Sequence, residues 1–207
     1  GSYNLILTIF DKNSPTLYLS SKKFFVFNPN VEDTMQTAIR NNPMLSTEFG
    51  AMSEEECERM FDVSKYIASE GEIEQYKGLD SLNAKRKFLY NFWQKRDQRP
   101  ETQVNEYKEE YLSRVEHVNN KYGTIQKKGY KTDRGRVYLV YGEPDEVDMH
   151  PNDPNAKPYE VWYYHQIEGG VKFVFGDLTG ISDYELLHST KRGEIRDDYW
   201  QRRIMQN

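Results

Sequence analysis

The residues best suited to chemistry lie in one polar stretch, residues 129–135, which contains Thr132, Asp133 and Arg134. A carboxylate beside a guanidinium group could bind a polar ligand, and together with Glu106 this pair could form the site of a hydrolase. The same residue types also build turns, because aspartate accepts local backbone N–H groups and glycine permits unusual backbone angles. Since ion-pair networks imitate active sites in sequence, we favour a structural role for this stretch.

Polar residues near the ends of two predicted long helices supply partners for Arg134. They are Arg96, Asp97, Asn105, Glu106 and Arg114. We expect Arg134 to pair with Asp97 or Glu106, because a bidentate arginine–carboxylate pair is a common way to tie a turn to a helix. Together with the three polar residues of the stretch, they form one predicted structural ion-pair network.

A second pattern places Glu106, Glu110 and Arg114 four residues apart, on one face of the later helix. Two carboxylates on one face could act as the acid and the base of a hydrolase. The simpler interpretation is an i,i+4 ion pair between Glu110 and Arg114 on a solvated face, in the order that stabilises a helix. We favour the ion pair and predict no catalytic residue.

The cysteine and histidine content argues against a metal site. The single cysteine, Cys57, lies on the apolar stripe of a predicted helix, which excludes a disulfide within the chain and indicates a small buried side chain. Metal ligands usually recur at short spacing, whereas the histidines are widely spread. They are His117, His150, His165 and His188.

Other ligand motifs are weak or missing. The acidic loop 145–153 could bind calcium through its oxygen atoms, but it lacks the regular alternation and the glycine of a calcium loop, so we favour a solvated loop. The sequence has no Gly-x-Ser-x-Gly elbow and no glycine-rich phosphate loop. We therefore predict no cofactor and no metal.

Aromatic residues make up 14% of the chain and predict a core built largely from rings. Four of them on neighbouring predicted strands could instead form a surface for a ligand or partner: Tyr138, Tyr159, Trp162 and Tyr164. Facing outward, such a patch suits sugar stacking or an apolar protein surface. If one face of the sheet packs on helices and the other on the C-terminal tail, the rings belong to the core, which we favour.

Composition excludes some classes of function. The net charge of −5 and the pI near 5.5 lack the basic surface of a nucleic-acid-binding protein. No apolar run approaches a membrane span of about 20 residues, and the mean hydropathy of −0.91 indicates a wet surface. The chain begins Gly1-Ser2 and shows a strand pattern by Tyr3, so we expect a piece of a longer protein.

The order of predicted elements indicates an α+β fold. We expect a β-hairpin from an upstream β domain over residues 1–30, and then a linker over residues 31–52. The main domain, residues 53–190, begins with helices, and the short connection between its two long helices predicts an antiparallel pair. This pair would pack on a roughly four-stranded antiparallel sheet, before a tail over residues 191–207. The predicted strands are 137–141, 159–165, 171–177 and 184–189.

Several separated motifs occur in the order typical of one bacterial protein family. They are residues 92–97, 105–106, 129–135, 141–145 and 158–164. Over about residues 53–189 the chain resembles the GWxTD-domain family, although Tyr130 stands where the family usually has tryptophan and Gln98 stands where proline is common. The resemblance implies an exported or envelope-anchored protein of Gram-negative bacteria, with a β-rich region upstream of the motif domain. It implies no activity, substrate or catalytic residue.

We therefore expect a non-catalytic protein-binding or assembly module of a bacterial envelope or secreted protein. Its partner would be another envelope protein or its own upstream β domain, and its location would be the periplasm, the outer membrane or the exterior. Two alternatives remain open. A carbohydrate-binding module requires an exposed strip of the strand aromatics. A hydrolase requires Glu106, Asp133 and Arg134 to converge unpaired in a pocket.

Overall fold

The computed structural model describes residues 2–10, 17–25, 42–102 and 104–205, and the chain divides into two compact units. The first unit comprises Gly1–Asp62 and Ser69–Arg96, and the second comprises Val63–Ala68 and Asp97–Asn207. Residues 31–41 of the predicted linker lie outside the described residues.

The first unit contains a β-hairpin and most of the N-terminal helices. Strands β1 (Ser2–Phe10) and β2 (Leu17–Phe25) pair antiparallel. Short 3-10 helices at Pro43–Ser46 and Glu48–Ala51 precede three helices, α1 (Glu54–Ser64), α2 (Glu70–Lys77) and α3 (Leu82–Gln94). The assignment of the hairpin to an upstream β domain stays a prediction.

Local capping and apolar faces explain these helices. Ser53 and Glu56 form the capping box that their spacing indicates: the Ser53 N–H donates to the Glu56 carboxylate at 2.7 Å, and the Glu56 N–H donates to the Ser53 hydroxyl at 3.2 Å. The apolar faces meet in an aromatic core, where Phe61 stacks on Tyr76 with ring centroids 3.8 Å apart. Burial of such faces stabilises short helices that would be marginal in isolation.

The second unit combines helices with a four-stranded antiparallel sheet. A 3-10 turn at Lys65–Ile67, helix α4 (Glu106–Tyr122), a second 3-10 turn at Gly129–Lys131 and helix α5 (Asp133–Tyr141) precede the sheet. The strands lie in the order of the chain, and helix α6 (Gln201–Ile204) follows them. They are β3 (Glu146–His150), β4 (Tyr159–Tyr164), β5 (Val171–Gly176) and β6 (Glu185–Ser189).

The predicted α+β class is confirmed, but the first predicted strand is wrong. Residues 137–141 belong to α5, and the sheet instead takes its first strand, β3, from the segment predicted to be a solvated loop. The segment is a short apolar run with Val137 and Leu139 buried, and such a run is typical of a buried helix as well as of a buried strand. Periodicity alone therefore did not identify the helix. The antiparallel pairing of α3 with α4 stays a prediction.

Both faces of the sheet are covered over strands β4, β5 and β6. On one face Trp162 lies against Tyr122 of α4, with ring centroids 5.4 Å apart, and next to Phe175 of β5. On the other face, the ring of Tyr159 lies 5.6 Å from Trp200 in the C-terminal tail. The short helix α6 buries Ile204 on this side, and it is the helical part of the predicted tail.

Two glycines let the turn before α5 approach its neighbours closely. A Cβ atom on Gly129 would lie 1.8 Å from the carbonyl oxygen of Val118 in α4. A Cβ atom on Gly135 would lie 1.9 Å from the carbonyl oxygen of Gly129 itself. Both obstacles are backbone atoms, so this part of the fold requires glycine at both positions.

Candidate functional site

Arg134 lies at the centre of a buried network between α5 and the sheet. Its Nη1 atom donates to Oε1 of Glu160 at 2.9 Å, and its Nη2 atom donates to the carbonyl oxygen of Ser182 at 3.1 Å. The second oxygen of Glu160 accepts the indole N–H of Trp162 at 3.0 Å. The guanidinium also lies 4.0 Å from the ring centroid of Tyr184. Because Arg134 is only 8% exposed, this is a buried ion pair that joins α5 to β4.

The prediction that Arg134 pairs with Asp97 or Glu106 is wrong, because Glu160 takes that position. Glu160 gave a signal in the sequence, as the one charged residue in the aromatic run 159–164. A carboxylate in a buried strand requires a partner. The two residues are 26 positions apart, so no local spacing could pair them.

Thr132 and Asp133 fix the start of α5. The Thr132 hydroxyl donates to the carbonyl oxygen of Gly129 at 2.7 Å and accepts the N–H of Gly135 at 3.0 Å, which makes it the N-cap. The Asp133 carboxylate accepts the N–H of Leu186 at 2.7 Å and so joins the helix to β6. Both side chains therefore bind backbone groups of their own unit, and the structural role that the sequence favoured for them stays a prediction.

We expect Asp133→Ala to lower the free energy of unfolding by about 1–3 kcal/mol, because the N–H of Leu186 loses its acceptor. Asp133→Asn is the matched control, since its amide oxygen can still accept this hydrogen bond. Urea denaturation measures the loss, and amide hydrogen exchange at Leu186 localises it. Equal losses for the alanine and asparagine variants would contradict this role.

Arg96 pairs within the first unit. Its Nη2 atom donates to Oε2 of Glu72 at 2.7 Å, its Nη1 atom donates to Oε1 at 3.2 Å, and the guanidinium lies 3.6 Å from the ring centroid of Phe92. The same carboxylate completes a capping box with Ser69 at the start of α2. These hydrogen bonds, first those from Arg96, lower the pKa of Glu72 to about 2.

This lowered pKa predicts a pH dependence of stability. The folded state holds Glu72 ionised below its usual pKa of 4.5, so its contribution is complete above that pH and is lost as the pH falls towards 2. We expect Glu72→Gln, which can retain the capping box, to cost about 1–3 kcal/mol at pH 7. Denaturation at several pH values between 2 and 7 measures this. The variant should converge with the wild type in acid, and a constant difference would contradict the ion pair.

Three other predicted network residues act locally before α4. Asn105 is the N-cap of the helix and accepts the N–H of Lys108 at 2.9 Å. Asp97 accepts the N–H of Arg99 at 3.0 Å, while Glu106 pairs with the Arg99 guanidinium at 3.1 Å. These contacts stabilise the loop and the helix start.

The predicted i,i+4 pair of Glu110 and Arg114 is present on an exposed face of α4. That the eight residues form one network stays a prediction, because they are divided between the two units. Glu106, Asp133 and Arg134, which the hydrolase alternative required to converge unpaired, are each bound to a different partner.

The four aromatic residues predicted as a possible surface do not form an exposed strip. Trp162 and Tyr164 are buried between the sheet and the helices, and Tyr138 is buried on α5 rather than on a strand. Tyr159 is half-buried and stacks on His150, with ring centroids 4.2 Å apart. The reason is that helices cover one face of the sheet and the tail covers the other.

The structure contains a second ion-pair cluster, which no sequence pattern predicted. Arg136 on α5 forms two hydrogen bonds with Glu194, at 2.8 and 2.7 Å, and the Tyr141 hydroxyl donates to the same carboxylate at 2.8 Å. Burial and this carboxylate raise the pKa of Tyr141 to about 12. Burial alone would raise the pKa of Glu194, but the hydrogen bonds from Arg136 and Tyr141 lower it overall. The cluster joins α5 to the segment after β6.

Within the described residues, no group of three or more histidine, cysteine, aspartate or glutamate side chains is placed to hold a metal ion. Cys57 is fully buried, and burial raises the pKa of its thiol, which fits the predicted role of a small apolar side chain. None of the helices in the described ranges combines the length and the apolar character needed to cross a membrane.

Comparison with known protein families shows which family this chain belongs to. A sequence model of the GWxTD domain matches residues 28–206, which is most of the chain. The chain belongs to the GWxTD-domain family. Neither the curated proteins nor the solved structures gave a match to it. In this GWxTD domain Tyr130 takes the place of the tryptophan of the motif and is buried, so an aromatic ring still fills that position in the core.

The GWxTD domain leaves one strand of its sheet exposed. All residues from Glu146 to Met149 in β3 are exposed, and β3 is an edge strand that pairs with β4 alone in the described part of the chain. Val147 and Met149 pair in register with the buried Trp162 and Glu160, so they lie beside the core, yet they are 40% and 61% exposed. An edge strand with exposed apolar side chains is a ready template for another strand.

Proposed function

We propose that this GWxTD-domain protein is a non-catalytic module that binds another protein, or assembles with its own upstream β domain, in the bacterial envelope or outside the cell. The location rests on the resemblance to exported and envelope-anchored proteins. The observation that carries the binding function is the exposed edge of β3, with Val147 and Met149 beside the core.

The contacts of the motif residues support an assembly role over a catalytic one. Arg134 is bound by Glu160, and Asp133 is bound by the backbone of Leu186. Catalytic acids, bases and nucleophiles have to reach a substrate, whereas these groups are engaged with their own domain. The charged motif residues thus stabilise the sheet that presents β3.

Site-specific photo-cross-linking in the bacterium that encodes the protein tests this function. A photo-reactive amino acid replaces Met149 on β3, and the matched control replaces Tyr199, which is equally exposed but lies in the tail of the same unit. We expect a defined protein adduct from position 149 that is missing from position 199. Mass spectrometry identifies the partner, and fractionation of the cells measures whether both proteins lie in the envelope or the medium.

The partner is then purified and its affinity for the domain is measured. Val147→Asp should weaken the affinity by about tenfold or more, because it places a charge on the apolar surface that Val147 and Met149 form on β3. Glu185→Lys, on the opposite edge strand, is the control that should leave the affinity unchanged. Adducts of equal strength from both photo-reactive positions, or a complex that ignores Val147→Asp, would contradict binding at β3.

A further inference from the structure

The two edges of the sheet differ in how their backbone groups are used. On β6, the Asp133 carboxylate accepts the N–H of Leu186, and the carbonyl oxygen of Ile195 accepts the N–H of Ser189 at 2.8 Å. This edge is covered by the chain itself. On β3, no hydrogen bond from outside β4 reaches the backbone among the described residues.

We propose that β3 accepts an extended segment of a partner protein as a fifth antiparallel or parallel strand, and that this segment alternates lysine or arginine with apolar residues. The proposal rests on the proposed binding function and names its partner class. In such strand addition, main-chain hydrogen bonds provide affinity, and alternate side chains provide specificity.

The two faces of β3 present different chemistry to such a strand. Val147 and Met149 lie on the face shared with Trp162, where they extend the apolar core to the edge. Glu146 and Asp148 lie on the opposite face, because side chains alternate along a strand. A partner strand that matches both faces therefore has apolar residues on one side and charged residues on the other.

The negative charge of the segment around β3 favours a basic partner. Residues 142–156 contain five acidic residues and no lysine or arginine. They are Glu143, Asp145, Glu146, Asp148 and Asp153. The next basic residue, Lys157, donates to the carbonyl oxygen of Leu178 at 2.7 Å, so its charge is directed to the protein's own backbone. A second copy of this chain would place two acidic strands side by side, which like-charge repulsion disfavours.

Fluorescence anisotropy with synthetic peptides tests the partner class. The probe is an eight-residue peptide that alternates lysine and valine, and a glutamate–valine peptide of the same length is its control. A third peptide carries N-methyl groups on alternate residues, which keeps the charge but removes backbone donors. All three are titrated into the intact protein at low and high salt.

We expect the lysine peptide to bind, and the glutamate and N-methylated peptides to bind at least about tenfold more weakly. The double variant Glu146→Lys/Asp148→Lys should also weaken the lysine peptide about tenfold, since each exposed ion pair contributes a few-fold in affinity. Glu185→Lys on β6 should leave binding unchanged. All of these positions are exposed, so the variants should fold, which circular dichroism checks.

Three results would overturn the proposal. Equal binding of the lysine and glutamate peptides would remove the charge selection, and equal binding of the N-methylated peptide would remove the strand addition. A dimer seen by light scattering and broken by Val147→Asp would make a second copy the occupant. If no peptide binds while the photo-reactive residue at position 149 still captures a defined protein, the partner class fails and the binding function stands.

Discussion

Gly129→Ala should lower the free energy of unfolding by more than about 3 kcal/mol, because the added methyl group has no space. Its Cβ atom would lie 1.8 Å from the carbonyl oxygen of Val118 and 2.6 Å from the Cα atom of Asn119, which are backbone atoms of α4. The turn would have to separate from the helix to accept it. Urea denaturation followed by circular dichroism and tryptophan fluorescence measures the loss.

Gly135→Ala should behave in the same way, although helix propensity alone predicts the opposite. Gly135 lies in the first turn of α5, where alanine is favoured by up to about 1 kcal/mol. Its Cβ atom would lie 1.9 Å from the carbonyl oxygen of Gly129, however, and so the steric cost decides the sign. The control is Gly71→Ala in α2, where the space within 4 Å is open and alanine should be neutral or stabilising. A stable Gly129→Ala variant would contradict the close packing of the turn.

These contacts explain the spacing of the GWxTD motif in this chain. Gly129 allows the turn to lie against α4, and Gly135 allows the turn to lie close to the start of α5. Thr132 then caps α5, and Asp133 joins the helix start to β6. The next residue, Arg134, joins the same helix to β4 through Glu160. Seven consecutive residues thus determine how one helix is placed on three other elements.

The sequence predicted those features that depend on local chemistry. The i,i+4 pair of Glu110 with Arg114 follows from residues four positions apart, and the capping box of Ser53 and Glu56 depends on the same kind of local spacing. Strands β4 and β5 follow from aromatic and β-branched runs, and β6 follows from a short segment that contains two leucines, with turns between the three strands. Such signals require no knowledge of distant residues.

The failures have a common physical cause, which is that tertiary contacts decide them. Residues 137–141 form a helix although their apolar run suits a strand, because the Thr132 cap and burial on several sides favour α5. The sequence did not predict β3 because the strand contains two acidic residues and is exposed, which is possible for a strand at the edge of a sheet. Arg134 found its partner on β4 and Arg96 found its partner on α2, at distances along the chain that no spacing rule covers.

Arg134→Met should cost about 3–5 kcal/mol of unfolding free energy, because it leaves the Glu160 carboxylate buried without its counter-charge. The double variant Arg134→Met/Glu160→Gln should be more stable than the single variant, since it removes both charges and its amide oxygen can still accept the Trp162 indole N–H. Arg134→Lys should not restore stability, because an ammonium group cannot reproduce both the bond to Glu160 and the contact with the Tyr184 ring.

The exposed pair of Arg114 and Glu110 on α4 supplies the control. It separates the cost of breaking a buried ion pair from the cost of losing an arginine in general. Arg114→Met removes an ion pair with Glu110 that is open to solvent, and it should cost less than about 1 kcal/mol. A thermal melt and a urea titration of the four variants complete the comparison. If Arg134→Met costs no more than Arg114→Met, then the buried pair does not hold α5 on the sheet. Arg134 would then be available to a ligand, and the motif rather than β3 would be the candidate binding site.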